Sequence, residues 1–377
     1  MEDPVRQTPF RRVRLDAIAP RPDQSVADRM IAVTQPGPPR PGADQLLVRT
    51  ILSPIHPCDV LCAAGLVPRR YGARDGSDAT EFTPGIEAVA TVEAVGGDLH
   101  GEFQPGQRVF VCCWAPWGRW SEADGVWSEY LLVRRESVIV VPEGVSDSTA
   151  AMFLVIPVTA YVMMLEQLRL KRGDWLIQNA AGSALGRWVI ALADELGIRT
   201  INLVRRREQV EELKRETGAE HVLWCPEDGS RNGALRGEIR EITGHDSVMG
   251  ALDAVGDGVF VSLSLEVLSR YGSVIIYGVL GGGEMKIPFE LTARIPLECM
   301  SVRGFSLQNW WLPDTPDEDK RRVFDAVWRH ITNNEKLNPA VAAVYSFEEV
   351  GDAIRSSLQR KSGKVLLRPR REDANAR

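Results

Sequence analysis

The sequence predicts an α/β plus β chain of two domains: an all-β, barrel-like domain and a doubly wound domain built on a parallel sheet. Three observations predict it. The chain has 377 residues, 44% of them hydrophobic and 25% charged, the length and balance of two or three domains with ordinary cores. From about residue 45 to 141 it runs in short β-branched segments broken by turn residues, the pattern of closely spaced strands. After Ser146, helix-length periodic stretches alternate with short buried-looking runs, which marks strand–helix–strand units.

The elements follow in order. The N-terminus is expected to be a ragged lead into the first strand. Strands are expected over residues 45–51, 88–95, 108–112 and 138–141, separated by turns such as Gly96-Gly97, Pro105-Gly106 and Pro142-Glu143-Gly144. Buried strands are then expected over 175–179, 199–204, 248–253, 273–277 and 301–304, spaced by helix-length segments such as 186–196 and 259–268. Parallel neighbours require such crossovers. A final stretch, 339–369, goes back to short strands and one helix and is assigned to the first domain. The expected division is 1–155 for the barrel domain, 156–304 for the parallel-sheet domain and 305–377 for the return.

The strongest local signal is Trp175-Leu-Ile-Gln-Asn-Ala-Ala-Gly-Ser-Ala-Leu-Gly186, a buried strand running through a small-residue turn into a helix. In a G-x-G-x-x-G turn the first position bends tightly, the second admits a pyrophosphate, and the third lets helix pack on strand. Here those positions read Ala181, Ser183 and Gly186, with Ala184 and Leu185 opening the helix. The next strand, 199–204, ends in Arg205-Arg206-Arg207. Dinucleotide folds that select NADH place an acid there, against the ribose 2′-hydroxyl. Three arginines suit a 2′-phosphate instead, so NADPH is the expected cofactor. Leu252-Asp253-Ala254-Val255-Gly256 and Gly272-Ser-Val-Ile-Ile-Tyr-Gly278 end further strands on the same, ligand-bearing edge.

Composition excludes other classes. The 45 basic and 51 acidic residues leave a net charge of −6, which gives no field for nucleic acid or an anionic membrane surface. Six cysteines, at 58, 62, 112, 113, 225 and 299, are too sparse for a disulfide scaffold and show no C-x-x-C pairs. The longest apolar run, 150–165, is broken by Pro157 and Thr159 and is shorter than the roughly 20 residues of a membrane span. The N-terminal arginines lie among acids with no apolar core, which reads as neither secretory signal nor transit peptide. A reduced cytoplasmic setting is expected.

Across residues 40 to 368 the sequence resembles the medium-chain dehydrogenase/reductase superfamily, a GroES-like barrel domain followed by a Rossmann domain. The similarity is greatest to the 2-enoyl thioester reductases of mitochondrial fatty acid synthesis. It is carried by Ile55-His-Pro-Cys-Asp59, Pro84-Gly85-Ile86-Glu87, Thr159-Ala160-Tyr161, Ile177-Gln178-Asn179-Ala180, the block from Leu196 to Arg205, and Val302-Arg303-Gly304-Phe305. Zinc members of the superfamily take catalytic ligands from a Cys-His pair near the Asp59 position and from a Gly-His-Glu motif. Here that motif reads Gly85-Ile86-Glu87, and isoleucine cannot ligate, so no metal is expected.

The resemblance implies an NADPH-dependent reductase of an activated C=C bond, passing hydride to the β-carbon of a 2-enoyl thioester or related conjugated carbonyl. The enolate oxygen then needs hydrogen-bond donors and the α-carbon a weak acid. Relatives place a tyrosine in a Gly-x-Tyr segment; this chain has Gly65-Leu66-Val67, and Tyr71 lies four positions later. Tyr71 is therefore the candidate acid, with an ordinary loop tyrosine as the alternative. His56 stands where relatives have asparagine and is a second catalytic candidate, titrating near neutral pH, with a structural histidine as its alternative. Thr159, Asn179, Tyr277, Phe305 and Lys364 complete the cofactor set. Trp114, Trp117, Trp127 and Trp310 are candidate walls of an aromatic substrate pocket. The substrate is small, carried as a thioester of coenzyme A or a carrier protein where the resemblance holds, and a homodimer joined through the Rossmann sheet is expected. Two alternatives stay open: a quinone or enone reductase that uses no thioester carrier, and a silent NADPH-binding protein.

Overall fold

The computed structural model describes residues 9–15, 25–38, 40–64, 83–113, 125–244, 247–281, 284–311, 315–359 and 362–369. Two compact units emerge, Met1–Val155 with Asn338–Arg377, and Ile156–Leu337.

In the first unit, β1 (Phe10–Leu15) pairs antiparallel with β2 (Met30–Gln35), which follows the short α1 (Ser25–Arg29). Then come β3 (Gln45–Pro54), α2 (Pro57–Ala63), β4 (Glu87–Val95), β5 (Arg108–Cys112), β6 (Tyr130–Arg134), β7 (Val138–Val140) and α3 (Asp147–Ala151). Alternate residues of these strands face one core: Leu46 and Val48, Ala88, Ala90 and Val92, Val109 and Val111 are all buried. That period of two is what the β-branched segments encode. Register shifts at Leu47/Val48 and Thr50/Leu52 on β3 bend the strand as bulges do. Pro57 opens α2, where its missing N–H costs nothing.

The second unit begins in a run that is helical but loose. Single-turn α4 (Thr159–Tyr161) lies between π-helical turns Leu154–Val158 and Val162–Gln167, the first containing Pro157. Proline cannot donate the helix hydrogen bond and crowds the preceding turn, which widens it. The sheet then forms from β8 (Trp175–Gln178), β9 (Arg199–Val204), β10 (His221–Trp224), β11 (Val248–Asp253), β12 (Leu268–Ile276) and β13 (Ser301–Gly304). The connecting helices are α5 (Ala184–Leu196), α6 (Gln209–Thr217), α7 (Asn232–Thr243), α8 (Gly258–Val267) and α9 (Phe289–Leu297), with α10 (Leu307–Trp311) and α11 (Asp317–Asn333) after the last strand. All its pairings are parallel, in the order β10-β9-β8-β11-β12-β13. The order therefore reverses between β8 and β11, where open α/β sheets bind ligands at the carboxyl ends of the strands.

The chain returns to the first unit through β14 (Val341–Ser346), α12 (Val350–Leu358) and β15 (Lys364–Arg368). These complete a seven-stranded sheet, β14-β15-β3-β4-β5-β7, with β6 paired to β3. The return starts at Asn338, not at residue 305 as the sequence suggests. The reason is α11, which is fastened within the second unit: Arg322 pairs with Glu166 at 2.9 Å, His330 with Glu195 at 2.6 Å, and the Trp188 indole donates to the Leu337 carbonyl at 2.9 Å. Among the described residues no helix is long and apolar enough to cross a membrane.

Candidate functional site

In the second unit the predicted turn joins β8 to α5. The Ser183 hydroxyl accepts from the Gly186 N–H at 3.0 Å and caps the helix. Gly197 closes the helix at φ 68°. A Cβ on Gly186 would lie 2.7 Å from both the Cα and the carbonyl oxygen of Ala181, so only glycine lets α5 approach the strand this closely. Ala180 holds φ at 47°, a conformation that costs a non-glycine residue energy and concentrates at working sites. The result is a tight cradle at the amino end of a thirteen-residue helix, where free amides and the helix dipole favour an anion. A pyrophosphate fits it: Ala181 is buried at the bend, while Ser183, Ala184, Leu185 and Gly186 form the first turn.

At the end of β9 the three arginines diverge. Arg205 ion-pairs with Glu227, and its carbonyl accepts from the Trp224 indole at 3.0 Å. Arg206 lies 3.5 Å from Glu208, and the Arg207 guanidinium stands 5.8 Å from the Trp224 ring centroid. Arg231 approaches the same ring at 5.2 Å and donates to the Trp224 carbonyl at 2.7 Å. Arg207, Arg231 and Trp224 line a cavity of about 520 Å³ with Val210, Glu211, Val222 and Leu223. Sequence reading missed Trp224, Arg231 and Glu227, because β10 is too short to announce itself.

Three neighbouring strand ends form a second polar cluster. Asn179 donates from Nδ2 to Asp253 Oδ1 at 2.6 Å and accepts from the Ala254 N–H at 2.8 Å. Asp253 Oδ1 also accepts from the Val255 and Gly256 amides, at 2.8 and 3.1 Å. Both polar groups of Asn179 are thus engaged within the fold. Asp253 Oδ2 and the Tyr277 hydroxyl are buried with no partner among the described residues. Burial, then Asp253, pushes the Tyr277 phenol up, so it is neutral. Phe305 follows β13, its N–H donating to the Ile276 carbonyl at 2.8 Å.

In the first unit, His56 caps α2 and its Nε2 lies 2.7 Å from Glu87 Oε1. The other oxygen of Glu87 accepts from the Leu154 and Val155 amides at 2.7 and 3.2 Å. Asp59 Oδ2 accepts from the His56 N–H at 2.7 Å. Lys364 Nζ donates to the Ile55 carbonyl at 3.0 Å, beside this group. Burial pushes Glu87 up to about 8, against the pull of the two amides and Lys364, and Asp59 up to about 7. Burial, then Lys364, holds His56 well below its ordinary value. His56 is therefore neutral at pH 7 and does not titrate there as its type suggests. Burial keeps Cys58 and Cys62 as thiols. Among the described residues no group of three or more His, Cys, Asp and Glu side chains is arranged for a metal ion.

The remaining sequence candidates separate. Thr159 is buried at the start of α4. Trp127 does not wall a pocket: it is 0% exposed in the barrel core, its ring under Gly85. Trp310 packs edge-on against Phe324 of α11, with centroids 6.4 Å apart. Tyr71, Trp114 and Trp117 lie outside the described residues.

Comparison with known proteins agrees with this architecture. Residues 42–143 match the alcohol dehydrogenase GroES-like domain and residues 184–332 the zinc-binding dehydrogenase family. The chain is 32% identical over 280 residues to a human mitochondrial enoyl-[acyl-carrier-protein] reductase, covering 73% of this chain and 68% of the relative. It is 28% identical to the Dictyostelium discoideum protein of the same name, over 85% of each. Among solved structures, a putative NADPH:quinone reductase from Bacillus thuringiensis superposes with TM-score 0.78 at 24% identity, covering 97% of this chain and 100% of that one. A mycobacterial protein complexed with NADPH gives 0.75 at 23%, covering 96% and 100%. These structural likenesses concern the fold.

Proposed function

We propose a function from the premise that the chain belongs to the medium-chain dehydrogenase/reductase superfamily and is an oxidoreductase: it reduces the conjugated C=C bond of a 2-enoyl thioester with NADPH. The observation that carries the cofactor is the cradle at Gly186 with Arg205, Arg206 and Arg207 directly after the next strand. The relatives named enoyl reductases support the substrate class.

When bound, the dihydronicotinamide supplies the hydride for the β-carbon. The chain's own residues hold and orient it. The α5 amino end binds the pyrophosphate, while Arg205 to Arg207 take the 2′-phosphate by charge-assisted bonds, Arg205 exchanging Glu227 for the ligand. Asn179 stiffens the strand ends beside it. His56 is enclosed and bonded to Glu87, which makes it a positioning residue for the α2 amino end and leaves Tyr71 to protonate the α-carbon. Lys364 holds the same cluster together from β15. We also propose a homodimer through β13, in a compartment that keeps the cysteines reduced.

The test is oxidation of NADPH followed by its absorbance, with a crotonyl thioester or a small quinone as acceptor, in wild type and Tyr71→Phe. Turnover of the thioester that falls about a hundredfold in the variant is the expected result. Quinone turnover indifferent to Tyr71 makes the chain a quinone or enone reductase instead. Saturable NADPH binding with no turnover of either acceptor makes it a silent NADPH-binding protein.

A further inference from the structure

Asp253 is a carboxylate in an unusual setting. It is 0% exposed and ends β11, which borders the reversal of strand order. All three of its hydrogen bonds fall on Oδ1 and come from neutral donors: Asn179, Val255 and Gly256. Among the described residues Oδ2 has no hydrogen-bond partner, and no arginine, lysine or histidine ion-pairs with the carboxylate. The titratable groups that bear on it are the neutral Tyr277 phenol from β12 and Asp257, whose carboxylate caps α8. Burial raises the Asp253 carboxyl above its ordinary value, against the pull of the Gly256, Val255 and Asn179 bonds, and no cation is paired with it at this strand end among the described residues.

Its position follows from the sheet order. The pyrophosphate belongs at the β8–α5 turn and the adenosine half over β9, where the arginines are. The other half of the dinucleotide then crosses the ends of β11 and β12. This rests on the dinucleotide reading above. We infer that Asp253 is a fixed buried anion beneath the nicotinamide half, and that its charge stabilises the oxidised, cationic ring relative to the neutral dihydropyridine. Loss of hydride to the acceptor leaves the ring with one positive charge, and no further reactant is needed. Coulomb attraction acts through a low-dielectric interior without contact, so the sealed position of Oδ2 is no obstacle. Asp253 acts as a positioning charge, drawing the reaction toward oxidised cofactor.

Asp253→Asn tests this. The amide oxygen can keep the three bonds of Oδ1, and the amide nitrogen replaces the unpartnered Oδ2, so the fold has reason to survive. Dissociation constants for NADP⁺ and NADPH are measured by calorimetry, with adenosine 2′,5′-bisphosphate as the probe of the adenosine half. The expected result is a ratio Kd(NADP⁺)/Kd(NADPH) that rises about tenfold, with the bisphosphate unchanged. A purely structural residue weakens both cofactor forms alike, and an unchanged ratio overturns the inference. Wild type supplies a second measurement if the variant does not fold. Acidification that protonates Asp253 raises the same ratio, while protonation of the 2′-phosphate, common to both forms, cancels. A ratio flat through that titration overturns the inference equally. If wild type binds neither NADP⁺ nor NADPH, the dinucleotide reading itself fails and takes the inference with it.

Discussion

Glu87 meets three demands at one carboxyl group. One oxygen faces His56 and the other holds two amides, and the residue is 0% exposed. Because its folded pKa, about 8, stands above the ordinary 4.5, the folded form binds a proton the unfolded chain releases. Its stabilising contribution is complete below pH 4.5 and is lost as pH rises to about 8. Asp59, raised to about 7, has the same sign; His56, lowered, has the opposite sign and loses its share below its ordinary pKa. Glu87→Gln keeps an acceptor for both amides and a donor for His56, so the variant's melting temperature is expected to fall less steeply than wild type between pH 5 and 8. Parallel slopes would exclude Glu87 as the source. From sequence, Glu87 was legible only as the tail of a failed metal motif.

At the scale of elements, the β8–α5 turn was legible in full, since its requirements are local: small side chains, a capping hydroxyl and a glycine at the close approach. Gly186→Ala places a Cβ against Ala181 and is expected to weaken NADPH binding more than tenfold, a titration that also measures how far the cradle yields; its cost to folding is about 1–3 kcal/mol. Loss of folding stability with intact affinity would remove the cradle from the site. The short β10 and the early start of β12 at Leu268 were not legible. Both owe their strand state to hydrogen bonding with neighbours already in the sheet, and pairing of that kind overrides weak local preference.

For the whole molecule, β13 pairs among the described residues only with β12, leaving an edge whose backbone groups invite a second strand. The helix before it exposes Phe289 at 83% and Leu297 at 75%, and Val279 follows β12 at 70%. Exposed apolar side chains of this size are the kind that the proposed dimer contact would cover. Phe289→Glu with Leu297→Lys is expected to shift the protein from dimer to monomer in light scattering while the melting temperature of each unit holds; a wild-type monomer at micromolar concentration would end the dimer proposal.

The amino-acid sequence by itself determined the two-unit plan, the parallel sheet and its tight β8–α5 turn, because periodicity, turn chemistry and capping act between residues a few positions apart. Tertiary structure alone decided which polar groups meet. His56 and Glu87 are 31 residues apart, Asn179 and Asp253 are 74, and Lys364 and Ile55 are 309. The same distinction moved the return of the chain from residue 305 to Asn338 and buried Trp127 in the core. An ionisable side chain takes its proton affinity from burial and from neighbours brought by folding, and neither is written in the order of residues around it.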